Sequence, residues 1–216
     1  MKRSIIFTIV MLLIITVLIA GCTSNSSSSA PSAVATSTTP LPVQTTGSQL
    51  STVDPSQMAL TLSDVPAGFT LKEGTPLTSS DVSPTNIADG WIKGYEVEFQ
   101  RTNNGASTGV VDVEFIAQVI TVYPIDNVNQ VMTQTGTNML QESNATVTVE
   151  QLPDPQIGDS SQAFKITGKT SSGTPMISFF ITFSKDDVVE TLAWAGTSAD
   201  YSTLNNLANI AEAKIK

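Results

Sequence analysis

The chain has 216 residues, 10 basic and 19 acidic side chains, no histidine and a single cysteine, giving a net charge of −9. So acidic a protein lacks the electrostatic footprint of a nucleic-acid binder and is repelled by an anionic bilayer surface. The missing histidine removes Ser-His-Asp triads, Cys-His dyads and histidine-bound zinc, and a lone cysteine allows no internal disulfide.

Met1-Lys2-Arg3 followed by the uncharged, Ile/Leu/Val-rich run Ser4–Gly21 has the charge pattern and length of a secretory leader. The run closes on Leu18-Ile19-Ala20-Gly21-Cys22, which resembles the lipobox of secreted lipoproteins. That resemblance implies cleavage before Cys22 and lipid on its thiol and new amino group. The competing reading is an uncleaved anchor helix with Cys22 at its boundary. Under both, Lys2 and Arg3 favour the inner side and the remainder faces out of the cytoplasm. Loss of residues 1–21 removes two bases and no acid, taking the net charge from −9 to −11.

Residues 22–57 are dominated by Ser, Thr, Pro and Ala, with Asp54 as the only charge. Such a stretch cannot bury enough apolar surface to offset chain entropy, so it reads as a disordered tether. About 35 residues of coil span roughly 30 to 35 Å. Asn25 and Asn144 each open an Asn-x-Ser/Thr glycosylation pattern.

Residues 58–216 are enough for one domain with its own core. A first strand is expected within Ala59–Phe69, ending in a Pro66-Ala67-Gly68 turn. A short helix is expected to start at Ser79 or Ser80 and stop at Gly90. Tyr95, Val97 and Phe99 alternate with Glu96, Glu98 and Gln100, a strand pattern. The next strand is expected to point Val111, Val113, Phe115, Ala117 and Val119 inward, after a hairpin turning at Asn104-Gly105. Val128, Val131, Met132, Thr135 and Met139 recur at helical spacing, with Asp126 as the expected N-cap. Four strands are expected over 145–152, 161–168, 175–184 and 188–195, with Lys185-Asp186-Asp187 turning the last pair. Ser198 is the expected cap of a closing helix that turns Tyr201, Leu204, Ala208, Ala211 and Ile215 inward. The expected fold is α+β, an antiparallel sheet of about six to seven strands covered by helices.

The stretches LTLSDVPAGF (60–69), QIGDSSQAFKI (156–166) and VVETLAWAG with LANIAEAKI (188–215) carry a family resemblance. They resemble secreted lipoprotein domains with the Mog1/PsbP-like α/β/α sandwich, and the tether is similar to that of surface lipoproteins of methanogenic archaea. The resemblance implies an antiparallel sheet between helices and a binding or accessory role, and no functional residue of the photosynthetic members carries over; no cofactor is expected.

Few residues offer chemistry. Gly105-Ala106-Ser107-Thr108-Gly109 matches the nucleophile-elbow pattern, but a strand follows it and no histidine exists. Gly168-Lys169-Thr170 matches the end of a P-loop without the helix that would present amides to phosphate, and reads as a turn. Glu96, Glu98, Asp112 and Glu114 are expected to meet on one face of the first hairpin, as a weak cation site or a carboxylate pair. Trp91 and Trp194 are candidate pocket walls. Asp64 and Asp159 read as turn-makers bonding local N–H groups. The function expected is a non-enzymatic, lipid-anchored binding or accessory domain for a small ligand or an envelope protein. The alternatives are a carboxylate-dependent envelope hydrolase and a calcium-stabilised module.

Overall fold

The computed structural model describes residues 52–104, 111–144, 146–169 and 175–216, and the side chains of 103, 104, 111 and 112 are not among those described. The leader, Cys22, Asn25, most of the tether and the Gly105–Gly109 motif therefore lie outside the described residues, as does Thr170. No helix among the described residues is long and apolar enough to cross a membrane.

Seven strands form one antiparallel sheet in the order β1-β2-β3-β7-β6-β5-β4. They are β1 (Thr70–Pro76), β2 (Lys93–Asn104), β3 (Val111–Val122), β4 (Thr148–Leu152), β5 (Ser160–Lys169), β6 (Pro175–Lys185) and β7 (Val188–Gly196). Among the described residues three α-helices accompany them: α1 (Pro84–Ala88), α2 (Ile125–Gln141) and α3 (Tyr201–Glu212). Two meanders, β1–β3 and β4–β7, are joined through α2, so that β3 and β7 pair at the centre.

Side-chain alternation sorts the sheet into two faces. Val97, Phe99, Ile116, Ile120, Leu192, Ile181 and Trp194 lie on one face, in the main core, against Leu204, Leu207, Ala208 and Ala211 of α3. On the opposite face Val128, Val131 and Met132 of α2 pack with Val189 and Tyr123. Helices thus cover both faces of an α+β fold.

Several local expectations are corrected. The first strand follows the Pro66–Gly68 turn instead of preceding it. Residues 58–69 are a non-strand segment that drops Met58, Leu60, Val65 and Phe69 into the main core, and Gly68 (φ 94°) turns the chain into β1. The folded region also begins ahead of Met58. A 3-10 turn at Pro55–Gln57 is capped by Asp54, Pro55 is buried and Val53 packs on the core. Helix α1 starts at Ser83, which accepts from Asn86 N with Pro84 in the first turn. Ser80 instead joins a tight turn in which Thr78 N donates to Asp81 Oδ2 at 2.9 Å. Pro124, with no side-chain bond, occupies the cap of α2, and Asp126 sits in its first turn. Asp200 caps α3 by accepting from Thr203 N at 2.8 Å, displacing Ser198 from that role. Gly168 and Lys169 belong to β5, paired with Met176 and Pro175, and are not a turn.

The largest correction concerns β3. Val97 faces Gln118, Phe99 faces Ile116 and Arg101 faces Glu114. The main core therefore receives Glu114, Ile116, Gln118, Ile120 and Val122, the opposite parity to the expected set. A one-residue change of phase moves every side chain across a sheet. Here β3 is central and covered on both sides, so both parities are rich in apolar residues, and the inward polar positions hide the true face.

Among the described residues, β1 and β4 are the outer strands of the sheet. β1 carries a register irregularity at Lys72, between Leu71 and Glu73, and β4 is five residues long.

Candidate functional site

Two openings among the described residues bear on function. The larger, about 310 Å³, is a crevice between α2 and β5 lined by Asn129, Met132, Thr133, Ser160, Ser161 and Gln162. Gln162 Nε2 donates to Met132 O at 2.8 Å. Its amide fits because residue 136 is glycine: a Cβ there would lie 2.2 Å from Gln162 Oε1.

The second opening is an apolar groove of about 280 Å³ on the main-core face. One wall is the irregular segment Ser56–Leu62; the other is β1 and β2, through Leu71, Gly74, Tyr95, Val97 and Phe99. No carboxylate lines either opening. Leu62 and Leu71 stand at 52% and 53% exposure, unusual for leucines beside a core. Gly74 lets the Tyr95 ring lie across β1: a Cβ at 74 would fall 2.7 Å from the Tyr95 hydroxyl oxygen.

The irregular wall is pinned by side chains because it makes no ladder. Leu60 N donates to Gln118 Oε1 at 2.7 Å. Lys214 Nζ donates to Ala59 O at 2.9 Å and to Asp64 Oδ2 at 2.7 Å. Lys93 Nζ reaches Val53 O at 3.0 Å. Asp64 does act as a turn-maker, accepting from Thr61 N at 2.7 Å, and its tie to Lys214 links the turn to the end of α3. Its carboxyl is held below the usual range: the bonds from Lys214 and Thr61 together outweigh desolvation, the largest single influence.

The four hairpin carboxylates do not share a surface. Glu96 and Glu98 pair with Val119 and Ala117, whereas Glu114 pairs with Arg101 on the opposite, main-core face. Asp112 pairs through its backbone with Asn103, and its side chain lies outside those described. Glu98, 3% exposed, is bonded to Lys72 at 2.7 Å, and that ammonium also lies 5.1 Å from the centre of the Phe115 ring. Glu114, fully buried, is paired with Arg101 and accepts from Ser198 N at 3.1 Å. Glu96 is the perturbed member, pushed up to about 7 by desolvation first and then by Glu98, Glu73 and Asp81. Among the described residues, no group of three or more His, Cys, Asp or Glu could hold a metal ion.

Trp194 is 3% exposed and packs edge-on to Phe69, with ring centres 5.9 Å apart. Trp91 packs against the α2 cluster. Neither lines the crevice or the groove. Asp159 is corrected from a local turn-maker: its Oδ2 accepts from Asp186 N at 2.8 Å, bracing the β6–β7 turn from 27 residues away. Asn144 is exposed and closes a turn, its Oδ1 accepting from Thr146 N and Thr146 Oγ1, both at 2.9 Å.

The groove wall, and the buried pair Gln118 and Glu190 behind it, went unread in the sequence. The available signal was parity: Glu190 alternates with Val188, Leu192 and Trp194, and Gln118 with Ile116 and Ile120, each a polar residue in an apolar series.

The sequence matches no family model and no curated protein. The fold is similar to the crystal structure of the extracellular domain of PknH from Mycobacterium tuberculosis, with a TM-score of 0.58 at 12% identity. That match covers 78% of this chain and 98% of the other, and the likeness is one of fold.

Proposed function

We propose that the chain is an extracytoplasmic binding domain, moored at the cell membrane through lipid on Cys22 and the Ser/Thr/Pro-rich tether, whose groove takes a small apolar ligand. Its basic, then apolar, leader and LIAGC sequence support the mooring. The fold likeness to an extracellular domain is in keeping with that side of the membrane. Helices on both faces of the sheet support grouping the domain with the Mog1/PsbP-like sandwiches, and the tether with archaeal-type surface lipoproteins.

One observation carries the binding reading: the groove is apolar yet open, with two half-exposed leucines, Leu62 and Leu71, standing together on its rim. Its volume lies at the low end for ligand sites, so the occupant is a short hydrocarbon chain or one ring. The same reading gives the domain a non-enzymatic role, in keeping with the engagement of Glu98, Glu114 and Asp64 in ion pairs.

Titration with a fluorescent fatty acid checks this. Saturable binding should be lost in Leu71→Glu while the far-UV spectrum stays native. Absence of saturation in the parent, or equal binding by the variant, would remove the groove as a ligand site.

A further inference from the structure

The groove's irregular wall ends on a buried acid. Leu60 N donates to Gln118 Oε1, and Gln118 Nε2 donates to Glu190 Oε2, both at 2.7 Å. Gln118 and Glu190 are each 0% exposed. The second carboxyl oxygen, Glu190 Oε1, is buried without a hydrogen-bond partner. Such a group is poorly tolerated as an anion and far better as a neutral acid, and protonation leaves Oε2 free to accept from Gln118.

Among the described residues, no cation forms an ion pair with Glu190. Across the sheet Glu190 faces Ile120 of β3 and Phe183 of β6. At the end of α3, Lys214 and Glu212 act on it at longer range with opposite signs. Lys214 is itself engaged by Asp64 and Ala59 O, and Glu212 by Lys185. The segment carrying Leu60 presents a backbone amide, with Asp64 turned to Lys214.

We propose that Glu190 is a proton-operated latch for the groove: neutral, it holds the Ala59–Leu62 wall docked through Gln118, and ionised, it favours release of that wall so that water reaches the carboxylate. Which ligand the wall admits rests on the groove reading above; the latch itself is read without any ligand.

Burial pushes the Glu190 carboxyl up to about 8, from an ordinary value of 4.5. Once the wall has opened, the carboxyl returns toward its ordinary value. Between these limits the docked form binds one proton more than the open form, so each unit rise in pH increases the open fraction about tenfold. Below the lower limit both forms are protonated, above the upper both are ionised, and the dependence flattens. The wall is held most tightly in acid and most loosely in mild alkali.

The test is residue-resolved amide hydrogen exchange on the full chain in neutral detergent from pH 5 to 9, corrected for intrinsic rates. Leu60 should lose about tenfold protection per pH unit up to about 8, while Ile181 and Phe183 in β6 hold theirs. Glu190→Gln should flatten the Leu60 profile, and Gln118→Met should leave Leu60 weakly protected at every pH. A pH-independent Leu60 in the parent overturns the latch, as does an unchanged slope in Glu190→Gln. Equal losses at Ile181 and Phe183 overturn it too, since the event would then be global unfolding. Fatty-acid binding is scored separately: its failure beside the expected exchange pattern removes the ligand site and leaves the latch standing.

Discussion

Replacing Arg101 with methionine isolates the most buried ion pair. Glu114 is fully buried, the Arg101 side chain is 22% exposed, and the guanidinium also lies 4.6 Å from the centre of the Phe69 ring. Methionine keeps much of the stem packing but removes the guanidinium from a buried carboxylate that also accepts from Ser198 N at 3.1 Å. Stranding one member of a buried pair costs about 3–5 kcal/mol, and loss of the ring contact adds about 0.5–1 kcal/mol. For a domain of this size 1 kcal/mol moves the melting temperature by roughly 2–4 °C, so a loss of about 4 kcal/mol lowers it by roughly 8–16 °C. Urea denaturation at pH 7, followed by the fluorescence of buried Trp194, measures this directly. The double variant Arg101→Met/Glu114→Gln, whose amide still accepts from Ser198 N, should recover about 1–3 kcal/mol. A single-variant cost below about 1 kcal/mol, or strict additivity in the double variant, would refute the argument that the pair is desolvated and coupled.

Lys185→Met should cost no more than about 1 kcal/mol by the same denaturation, and less in high salt, because the Lys185–Glu212 pair is about 30% exposed on each side. Glu96→Gln should stabilise the protein near neutrality and not in acid. The folded carboxyl titrates above its ordinary range, so the native state holds the extra proton between about 4.5 and 7 and stability falls as pH rises through that window; parallel parent and variant curves would contradict it. Gly136→Ala sets a helix-propensity gain of about 1 kcal/mol against displacement of Gln162 from Met132 O, a loss of about 1–3 kcal/mol. The variant should melt lower than the parent, and adding Gln162→Ala should raise it again.

The element order was legible because turn residues and alternation are local. Asp186, with φ of 53°, turns β6 into β7 where the run of charges predicted a turn, and Val128, Val131 and Met132 mark the buried stripe of α2 as their spacing demands. Parity in β3 was not legible, because the reason Glu114 and Gln118 can face inward lies in Arg101, directly opposite Glu114, and Glu190, diagonal to Gln118, which only the pairing of β2, β3 and β7 brings within reach. The groove escaped for a related reason. Its wall begins in Ser56 and Gln57, which read as tether, and runs into Ala59–Leu62, which read as strand, yet the Leu60 amide bonds a side chain 58 residues away. Capping was misassigned wherever several hydroxyl or acidic residues stood in a row: Ser79, Ser80 and Ser83 before α1, Ser198 and Asp200 before α3. Which of them caps is decided by where the chain leaves the sheet.

The kink at Lys72 and the brevity of β4 bear on how neighbouring copies behave. A straight outer strand offers a row of bare amides and carbonyls on which an identical molecule can build, and crowding at a surface multiplies such encounters. Here one margin breaks its spacing after two residues and ends in Pro76, which has no amide hydrogen to give, and the other runs out after five. Densely planted copies should therefore remain separate bodies and resist fibre growth.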